Sequence, residues 1–265
     1  MSGLLTTNEA AAVLGVGATA IKRWADAGLL ACVRTVGGHR RFKAADLEKV
    51  RHEASAQGPG ETWLGDLLDD GEGLLMQARL LERRAQLGSW HRVAPDVGRL
   101  LVELGHAWER GEVTVMQEHQ ASERLRRTLA RLADALPVAP GAPRGLLVCV
   151  DGEEHTLGLS LVDLCLREAG WMTIWAGRAT PASEVVGTIG AGELRAVFAS
   201  ASSYATDAEH LAGWLAPVVL AGQLRGIPIV LGGSGAWPAA TGTVRLREFP
   251  QLQAFLAGMA ASAGR

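Results

Sequence analysis

The sequence has no long apolar run, no Cys-x-x-Cys pair and only one tyrosine. No apolar run in the 265 residues approaches the ~20 residues that a membrane-spanning helix needs. The segment Met1–Leu5 has no charged stretch followed by an apolar core, so we expect neither a signal peptide nor a membrane partner. Eight tryptophans stand against one tyrosine and four phenylalanines, and we expect most of them in the core. Three cysteines without a Cys-x-x-Cys pair indicate buried thiols and a cytoplasmic location, namely Cys32, Cys149 and Cys165.

The composition is that of a globular protein with more than one domain. Hydrophobic residues make up 48% and charged residues 20% of the chain, which excludes a disordered chain or a fibre. Segments 55–60 and 137–143 are rich in Pro, Gly and Ala, as linkers between domains tend to be. We therefore predict three domains, at residues 1–54, 62–138 and 144–265.

Charge is distributed unevenly between these segments. The first 52 residues contain eight Lys and Arg against four Asp and Glu, a net charge of +4, while the whole chain carries -2. This asymmetry favours a basic module attached to an acidic remainder.

The middle and last segments have different hydrophobic periods. Apolar residues recur every three or four positions in 62–138, which predicts a four-helix bundle with breaks at Gly88, Pro95 and Gly111. The last segment alternates short apolar runs with helical stretches, which predicts a flavodoxin-like, doubly wound parallel sheet. The predicted strands are 146–150, 172–175, 196–199, 227–231 and 244–246, and the predicted helices are 157–169, 182–189 and 208–224.

The basic segment has the pattern of a winged helix-turn-helix. Thr6 and Glu9 form a capping box before a first helix through Val13, and a second helix follows from Ala18 to Ala27. A glycine turn between basic residues then predicts a hairpin wing. The alternative is a small helical domain with a solvated basic face. The expected DNA contacts are Thr19, Lys22 and Arg23 on the second helix and His39, Arg40 and Arg41 on the wing.

These residues resemble the MerR-type winged-helix family from Thr6 to Phe42. The shared features are the Thr6–Val16 stretch, Ile21–Trp24, Gly28–Leu30 and Gly37–Phe42. The resemblance implies that the first domain binds operator DNA.

One histidine of the last segment stands where a parallel sheet binds ligands. His155 follows the first predicted strand of that segment, and Glu153 is placed to orient one of its ring nitrogens. No other Cys or His lies nearby to complete a zinc site, so a metal carried inside a macrocycle suits this single ligand better. The alternative is a flavodoxin-like domain in which these residues coincide by chance.

The wider pattern resembles the cobalamin-binding fold, whose signature is Asp-x-His-x-x-Gly, then Ser-x-Leu, then Gly-Gly. This chain has Glu in place of Asp and Ser202 in place of Leu. The resemblance implies that His155 ligates cobalt and that the nucleotide tail of the cofactor slides into the domain. The implied binding residues are Glu153, Gly158, Ser200, Ser202, Gly232 and Gly233.

The middle segment resembles the B12-dependent photoreceptor repressors of the CarH type. Trp108, followed after nine residues by Glu118 and His119, carries this resemblance. It implies that the bundle caps the upper face of cobalamin and that these three residues surround its adenosyl group. The histidine that binds cobalt after illumination in that family corresponds to Glu109 here, with His106 nearby.

The resemblances together imply a repressor rather than an enzyme. Adenosylcobalamin would assemble a dark dimer or tetramer on operator DNA, and light would break the cobalt–carbon bond and release it. Three alternatives stay open: a cobalamin-responsive regulator without photochemistry, a corrinoid carrier for methyl transfer, and a drug-sensing MerR-type regulator. The basic segment counts against the methyl carrier, because such carriers lack a winged helix.

Overall fold

The computed structural model describes residues 4–14, 18–26, 30–35, 37–47, 61–69 and 73–263. The chain divides into two compact units, residues 1–89 with 96–128, and residues 90–95 with 129–265. The predicted linker 55–60 lies outside the described residues, and 137–143 is free of helix and strand. The three predicted domain boundaries therefore stay predictions.

The amino-terminal region has the predicted helix-turn-helix and wing. Helix α1 (Thr7–Leu14) and helix α2 (Ala18–Asp26) are followed by strands β2 (Val33–Arg34) and β3 (Arg40–Lys43), which pair as an antiparallel hairpin. A short strand β1 (Leu4–Leu5), which the sequence did not predict, pairs with the other edge of β3. The predicted turn at 15–17 and the predicted helix end at Gly28 lie outside the described residues.

The capping box predicted at the start of α1 is confirmed. The Thr6 main-chain N–H donates to Glu9 Oε2 at 2.7 Å, and the Glu9 N–H donates to Thr6 Oγ1 at 3.2 Å. The main-chain hydrogen bond from Thr6 holds the pKa of Glu9 below its ordinary value. The helices and wing share one apolar core, formed by Ala10, Ala11, Leu14, Ile21, Leu30, Phe42 and Leu47.

Four helices follow, as predicted: α3 (Glu61–Asp69), α4 (Leu74–Leu87), α5 (Trp90–Glu109) and α6 (Val115–Asp134). Gly88 and Gly111 separate them in left-handed conformations that glycine adopts freely, with φ of 84° and 73°.

The expected break at Pro95 is wrong, because α5 runs through it. Proline removes one main-chain donor from a helix interior. The buried side of α5 continues across that position, with Val93, Val97 and Leu100 at 1% exposure or less. Burial of that apolar face therefore outweighs the single lost hydrogen bond.

Arginines connect the helices within the first unit. Asp96 is buried on α5 and pairs with Arg83 of α4 at 2.6 Å and with Arg99 on its own helix. Arg79 of α4 pairs with Asp66 of α3 at 2.9 Å, and Arg124 of α6 donates to the Leu67 carbonyl. Two arginines on one buried carboxylate compensate for the cost of burying its charge.

The last region is the predicted doubly wound parallel sheet. Five parallel strands lie in the order β5–β4–β6–β7–β8. Helix α10 was not among the predicted elements, and β5 continues five residues past its predicted end. The strands are β4 (Arg144–Val150), β5 (Met172–Thr180), β6 (Ala196–Ser200), β7 (Ile229–Gly232) and β8 (Thr243–Arg245), and the helices are α7 (Leu157–Glu168), α8 (Ala182–Gly190), α9 (Ala208–Arg225) and α10 (Phe249–Ala263).

The strand order determines where a ligand binds. The chain moves from β4 to β5 on one side and returns to β6 on the other, so β4 and β6 flank the switch point of the sheet. Ligands of such sheets bind outside the carboxyl ends of the strands at this point.

In the described part of the chain, no helix has the length and apolar character needed to cross a bilayer. Four of the eight tryptophans are buried, Trp63, Trp90, Trp171 and Trp214. Trp24 and Trp237 are half-buried against apolar cores, and Trp108 and Trp175 are exposed.

Candidate functional site

The loop after β4 carries the candidate metal ligand. Glu153 is buried there, and its Oε1 accepts hydrogen bonds from the His155 main-chain N–H at 2.8 Å and from His155 Nδ1 at 2.6 Å. Its Oε2 accepts from the main-chain N–H of Ser202 at 2.6 Å. One carboxylate thereby joins the loops that follow β4 and β6, the two strands at the switch point.

This arrangement orients the imidazole of His155. Burial acts to raise the pKa of Glu153, but hydrogen bonds from Ser202 and His155 outweigh it, so the pKa lies below its ordinary value. An ionised carboxylate holds the proton on Nδ1, which leaves the lone pair on Nε2 available to a metal. The His155 side chain is 57% exposed. The residues present therefore fit a single-histidine cobalt site.

Two residues of the loop after β6 contact the imidazole. Ser202 Oγ lies 3.3 Å from His155 Nδ1, so the position that departs from the family pattern contacts the histidine directly. Tyr204 stacks on the imidazole with ring centroids 4.8 Å apart and an interplanar angle of 15°. Tyr204 was missed by sequence reasoning, although a lone tyrosine four residues after a buried strand was an available signal.

An apolar slot lies beside this loop, between the ends of β6 and β7. Its volume is about 190 Å³. Four of the predicted cofactor-binding residues line it, Gly158, Ser200, Gly232 and Gly233. The rest of the lining is mainly apolar and includes Leu159, Val162, Phe198, Val230, Leu246 and Phe249.

The glycines of the slot serve different purposes. A Cβ on Gly158 would meet no protein atom within 4 Å, and a Cβ on Gly232 would lie 3.8 Å from the Ala199 carbonyl. The fold itself therefore tolerates a side chain at these two positions, and glycine keeps the slot open. Gly233 has a φ of 77°, and its Cβ would lie 2.1 Å from the Ala201 carbonyl oxygen, so the protein's own backbone demands glycine there.

Arg245 secures the turn at the end of β7. Its Nη1 donates to the carbonyls of Leu231 at 3.0 Å and Leu246 at 2.9 Å, and its Nη2 donates to the Gly233 carbonyl at 2.5 Å. Burial, followed by repulsion from Arg247, lowers the pKa of Arg245. Sequence reasoning missed this residue, because two of its three backbone partners lie 12 and 14 residues away.

The three bundle residues predicted to surround the adenosyl group lie around one helix connection. Trp108 stands near the end of α5 and is 43% exposed, and Glu118 and His119 lie in the first turns of α6. Glu118 Oε2 lies 2.6 Å from His119 Nδ1, and Glu118 Oε1 accepts a hydrogen bond from Ser122 Oγ at 2.6 Å. Glu109 is exposed, as is His106. Trp108 therefore keeps an aromatic face that is accessible to a ligand, and Glu118 already has hydrogen-bond partners on its own helix.

The structure describes the side chains of only some of the predicted DNA contacts. Lys22 is exposed on α2, whereas the side chains of Thr19 and Arg23 lie outside the described part of the structure. On the wing, His39 is exposed, and the half-buried Arg41 donates to the Arg40 carbonyl at 3.2 Å. The antiparallel pairing of β2 and β3 places Arg34 opposite Arg40, so basic residues lie on both strands of the wing.

Cys149 and Cys165 are buried thiols and not reactive groups of the site, whereas Cys32, which was also expected to be buried, is half-buried. Burial, followed by the charges of Glu153 and Glu154, raises the pKa of Cys149 to about 12, and burial also raises the pKa of Cys165. No group of three or more His, Cys, Asp or Glu side chains that could hold a metal ion occurs within the described ranges. A metal site built from protein ligands alone therefore has no candidate among these residues.

Comparison with known proteins gives matches in two parts of the chain. A helix-turn-helix domain model matches residues 4–54, and a B12 binding domain model matches residues 97–133, on α5 and α6. The structure is also similar to the monomethylamine corrinoid protein of Methanosarcina barkeri, with a TM-score of 0.53 and 13% identity over 76% of this chain and 98% of that one. At this identity the similarity concerns the fold.

Two curated relatives come from Myxococcus xanthus. The HTH-type transcriptional repressor CarH is 36% identical over 139 residues, which are 52% of this chain and 45% of CarH. The repressor CarA is 40% identical over 73 residues, 28% of this chain and 25% of CarA. The chain thus matches less than half the length of either relative. Both are named as repressors, in agreement with the prediction of a regulator rather than an enzyme. The chain is homologous to the CarA and CarH repressors and joins a helix-turn-helix domain to a B12-binding domain.

Proposed function

We propose that this protein is a cytoplasmic transcriptional repressor that binds adenosylcobalamin and responds to light. The observation that carries the proposal is the imidazole of His155, oriented by buried Glu153 at the switch point of the sheet. The same chain contains a helix-turn-helix domain. A ligand site and a DNA-binding module in one chain support a ligand-controlled regulator.

The residues of the sheet domain would hold the cofactor from below. His155 supplies Nε2 to cobalt, while Glu153 and Ser202 hold the ring. The slot lined by Gly158, Ser200, Gly232 and Gly233 takes the apolar base of the nucleotide tail. When bound, the cofactor supplies a cobalt–carbon bond that visible light cleaves.

The bundle residues would recognise the adenosyl group. Trp108 offers a flat apolar surface to the adenine ring, and Glu118 and His119 offer hydrogen bonds to the ribose or the base. Loss of the adenosyl group would leave these residues without a ligand. Their contacts would then no longer stabilise the dark form of the protein. This assignment rests on the resemblance to CarH-type proteins and on the exposure of Trp108.

Oligomerisation would set the strength of operator binding. One winged helix binds DNA weakly, whereas joining several of them on one operator raises the apparent affinity by ~10²–10⁴ through effective concentration. We propose that the dark adenosylcobalamin form is a dimer or tetramer and that light dissociates it. Each winged helix would then bind the operator separately, through its own basic residues of the wing and α2, and with the lower affinity of a single module.

Size-exclusion chromatography with adenosylcobalamin, in the dark and after green light, tests this proposal. We expect a larger species in the dark, which shrinks on illumination and loses operator affinity in parallel. Identical size and affinity before and after light would contradict it. Hydroxocobalamin, which has no adenosyl group, serves as the control and should give the small species in both conditions.

Glu109 favours one alternative, a cobalamin-responsive repressor without photochemistry. This exposed carboxylate occupies the position of the histidine that takes the upper face of cobalt in CarH-type proteins after illumination. Visible spectra separate the two functions. An unchanged spectrum after illumination, together with a size and DNA binding that depend on cobalamin but not on light, would favour the alternative.

A further inference from the structure

We propose that Tyr204 is a positioning residue for His155, whose imidazole it holds in the plane required for cobalt ligation. The inference rests on the proposed function, because it takes His155 as the lower ligand. Nothing in the resemblance to known families assigns a role to this tyrosine. The stack of its ring on the imidazole, at 4.8 Å and 15°, is the observation behind the proposal.

The hydrogen bonds of His155 restrain its ring at one edge. Glu153 Oε1 and Ser202 Oγ both approach Nδ1, at 2.6 and 3.3 Å. The ring can still swing about its Cβ–Cγ bond within the angular tolerance of these hydrogen bonds, and such a swing would carry Nε2 away from the position of the metal. A ring stacked on the face of the imidazole removes this freedom, because the swing would force the two rings together.

The backbone that carries Tyr204 is firmly held. The Tyr204 N–H donates to Ser202 Oγ at 3.3 Å, and the Tyr204 carbonyl accepts from the Thr206 N–H at 3.0 Å. The neighbouring Ala205 donates to the Ser202 carbonyl at 3.1 Å and accepts from the Ala236 N–H at 3.0 Å. The ring is therefore presented by an ordered turn tied to the loop after β7.

The exposure of Tyr204 also needs explanation. Its side chain is 70% exposed, although tyrosine usually buries its apolar ring. Here the ring stands over the candidate ligand at the carboxyl edge of the sheet, where a corrinoid would cover it. A residue that served only the fold would gain more from packing inside the domain.

The test compares Tyr204→Ala with Tyr204→Phe in the full-length protein. Phenylalanine keeps the stacked ring, whereas alanine removes it. Trp175→Ala removes another exposed aromatic ring, on β5, and is the matched control. The probe is cobinamide in the Co(II) state, which lacks the nucleotide base, so the nitrogen splitting in its electron paramagnetic resonance spectrum comes from His155. Affinity is measured in the same samples.

We expect wild type, Tyr204→Phe and Trp175→Ala to show nitrogen splitting throughout the bound cobalt. Tyr204→Ala should show a mixture with and without splitting and bind about three- to tenfold more weakly, the value of one aromatic pair. Unchanged splitting and affinity in Tyr204→Ala would overturn the proposal, as would tighter binding. If wild type shows no splitting and His155→Ala binds equally well, cobalt ligation by His155 itself fails, which separates the two hypotheses.

Discussion

At the scale of single residues, Glu153 determines the geometry of the candidate site. Its carboxylate accepts from His155 and Ser202, which belong to loops 47 residues apart in sequence. It is ionised in the folded state at neutral pH, because its pKa is lowered. A lowered carboxyl pKa stabilises the folded state above the ordinary pKa, and this stabilisation is lost as the pH falls through the folded value.

Replacing Glu153 with glutamine should weaken corrinoid binding. The amide keeps the shape but supplies one acceptor oxygen in place of two, so one donor loses its partner. Loss of such a partner of a metal ligand typically costs 10–100-fold in affinity, and we expect about that loss for adenosylcobalamin titrated in the dark. The neighbouring Glu154→Gln is the control, because Glu154 is exposed and pairs with Arg178 at the surface. Equal affinities for the two variants would contradict the role of Glu153.

Ala179 stores backbone strain next to the site. It has a φ of 46°, a left-handed conformation that is unfavourable for alanine, and its N–H donates to the Glu153 carbonyl at 2.9 Å. We expect Ala179→Gly to raise the opening free energy of β5 by about 1 kcal/mol, measured by amide hydrogen exchange. Ala176→Gly, on the same strand, should lower it by about 0.5–1 kcal/mol. A decrease in both variants would show that no strain is released at Ala179.

At the scale of elements, the slot between β6 and β7 depends on where helix α7 begins. Gly158 is the second residue of α7, and the absence of a side chain there leaves the slot open. The slot forms only because α7, α10 and two strand ends converge, although its lining residues are spread over almost 100 positions.

Filling the slot should distinguish binding of the nucleotide base from binding of the corrin ring. In Gly158→Leu the new side chain would occupy the space proposed for the nucleotide base. We expect affinity for cobalamin to fall about tenfold or more, since one buried aromatic group contributes roughly 1.5–3 kcal/mol. Affinity for cobinamide, which has no base, should be unchanged. Gly187→Leu on α8, where a Cβ also meets open space, is the control. Equal losses for both corrinoids would place the base elsewhere.

Most elements followed from sequence patterns. Four of the five strands and three of the helices of the sheet domain were predicted within a few residues, because apolar runs bounded by turn residues are a local signal. The start of β5 was predicted as well, but its end came five residues short. The exceptions depended on partners far away in sequence. Strand β1 is two residues long and exists through its pairing with β3, and α5 passes Pro95 because its buried face continues.

At the scale of the whole molecule, Trp108 would link the loss of the adenosyl group to the change in oligomeric state. Trp108→Ala should weaken adenosylcobalamin-dependent oligomerisation by about tenfold in the protein concentration required, as the loss of one large aromatic contact predicts. Cobalt should still be held by His155. Size-exclusion chromatography in the dark measures the first effect and the visible spectrum of the bound cofactor the second. Full assembly of this variant would refute the adenosyl pocket.

The amino-acid sequence determined the helix-turn-helix, the four helices, the parallel sheet and the identity of the candidate ligand, because each of these depends on the spacing of nearby residues. Tertiary structure alone decided how the ligand is held. Ser202 and Tyr204 meet His155, and Arg245 clamps the turn after β7, only because parallel strands bring their carboxyl ends to one edge of the sheet. Such contacts join residues that are distant along the chain, and no local pattern specifies the distance or the angle between two side chains.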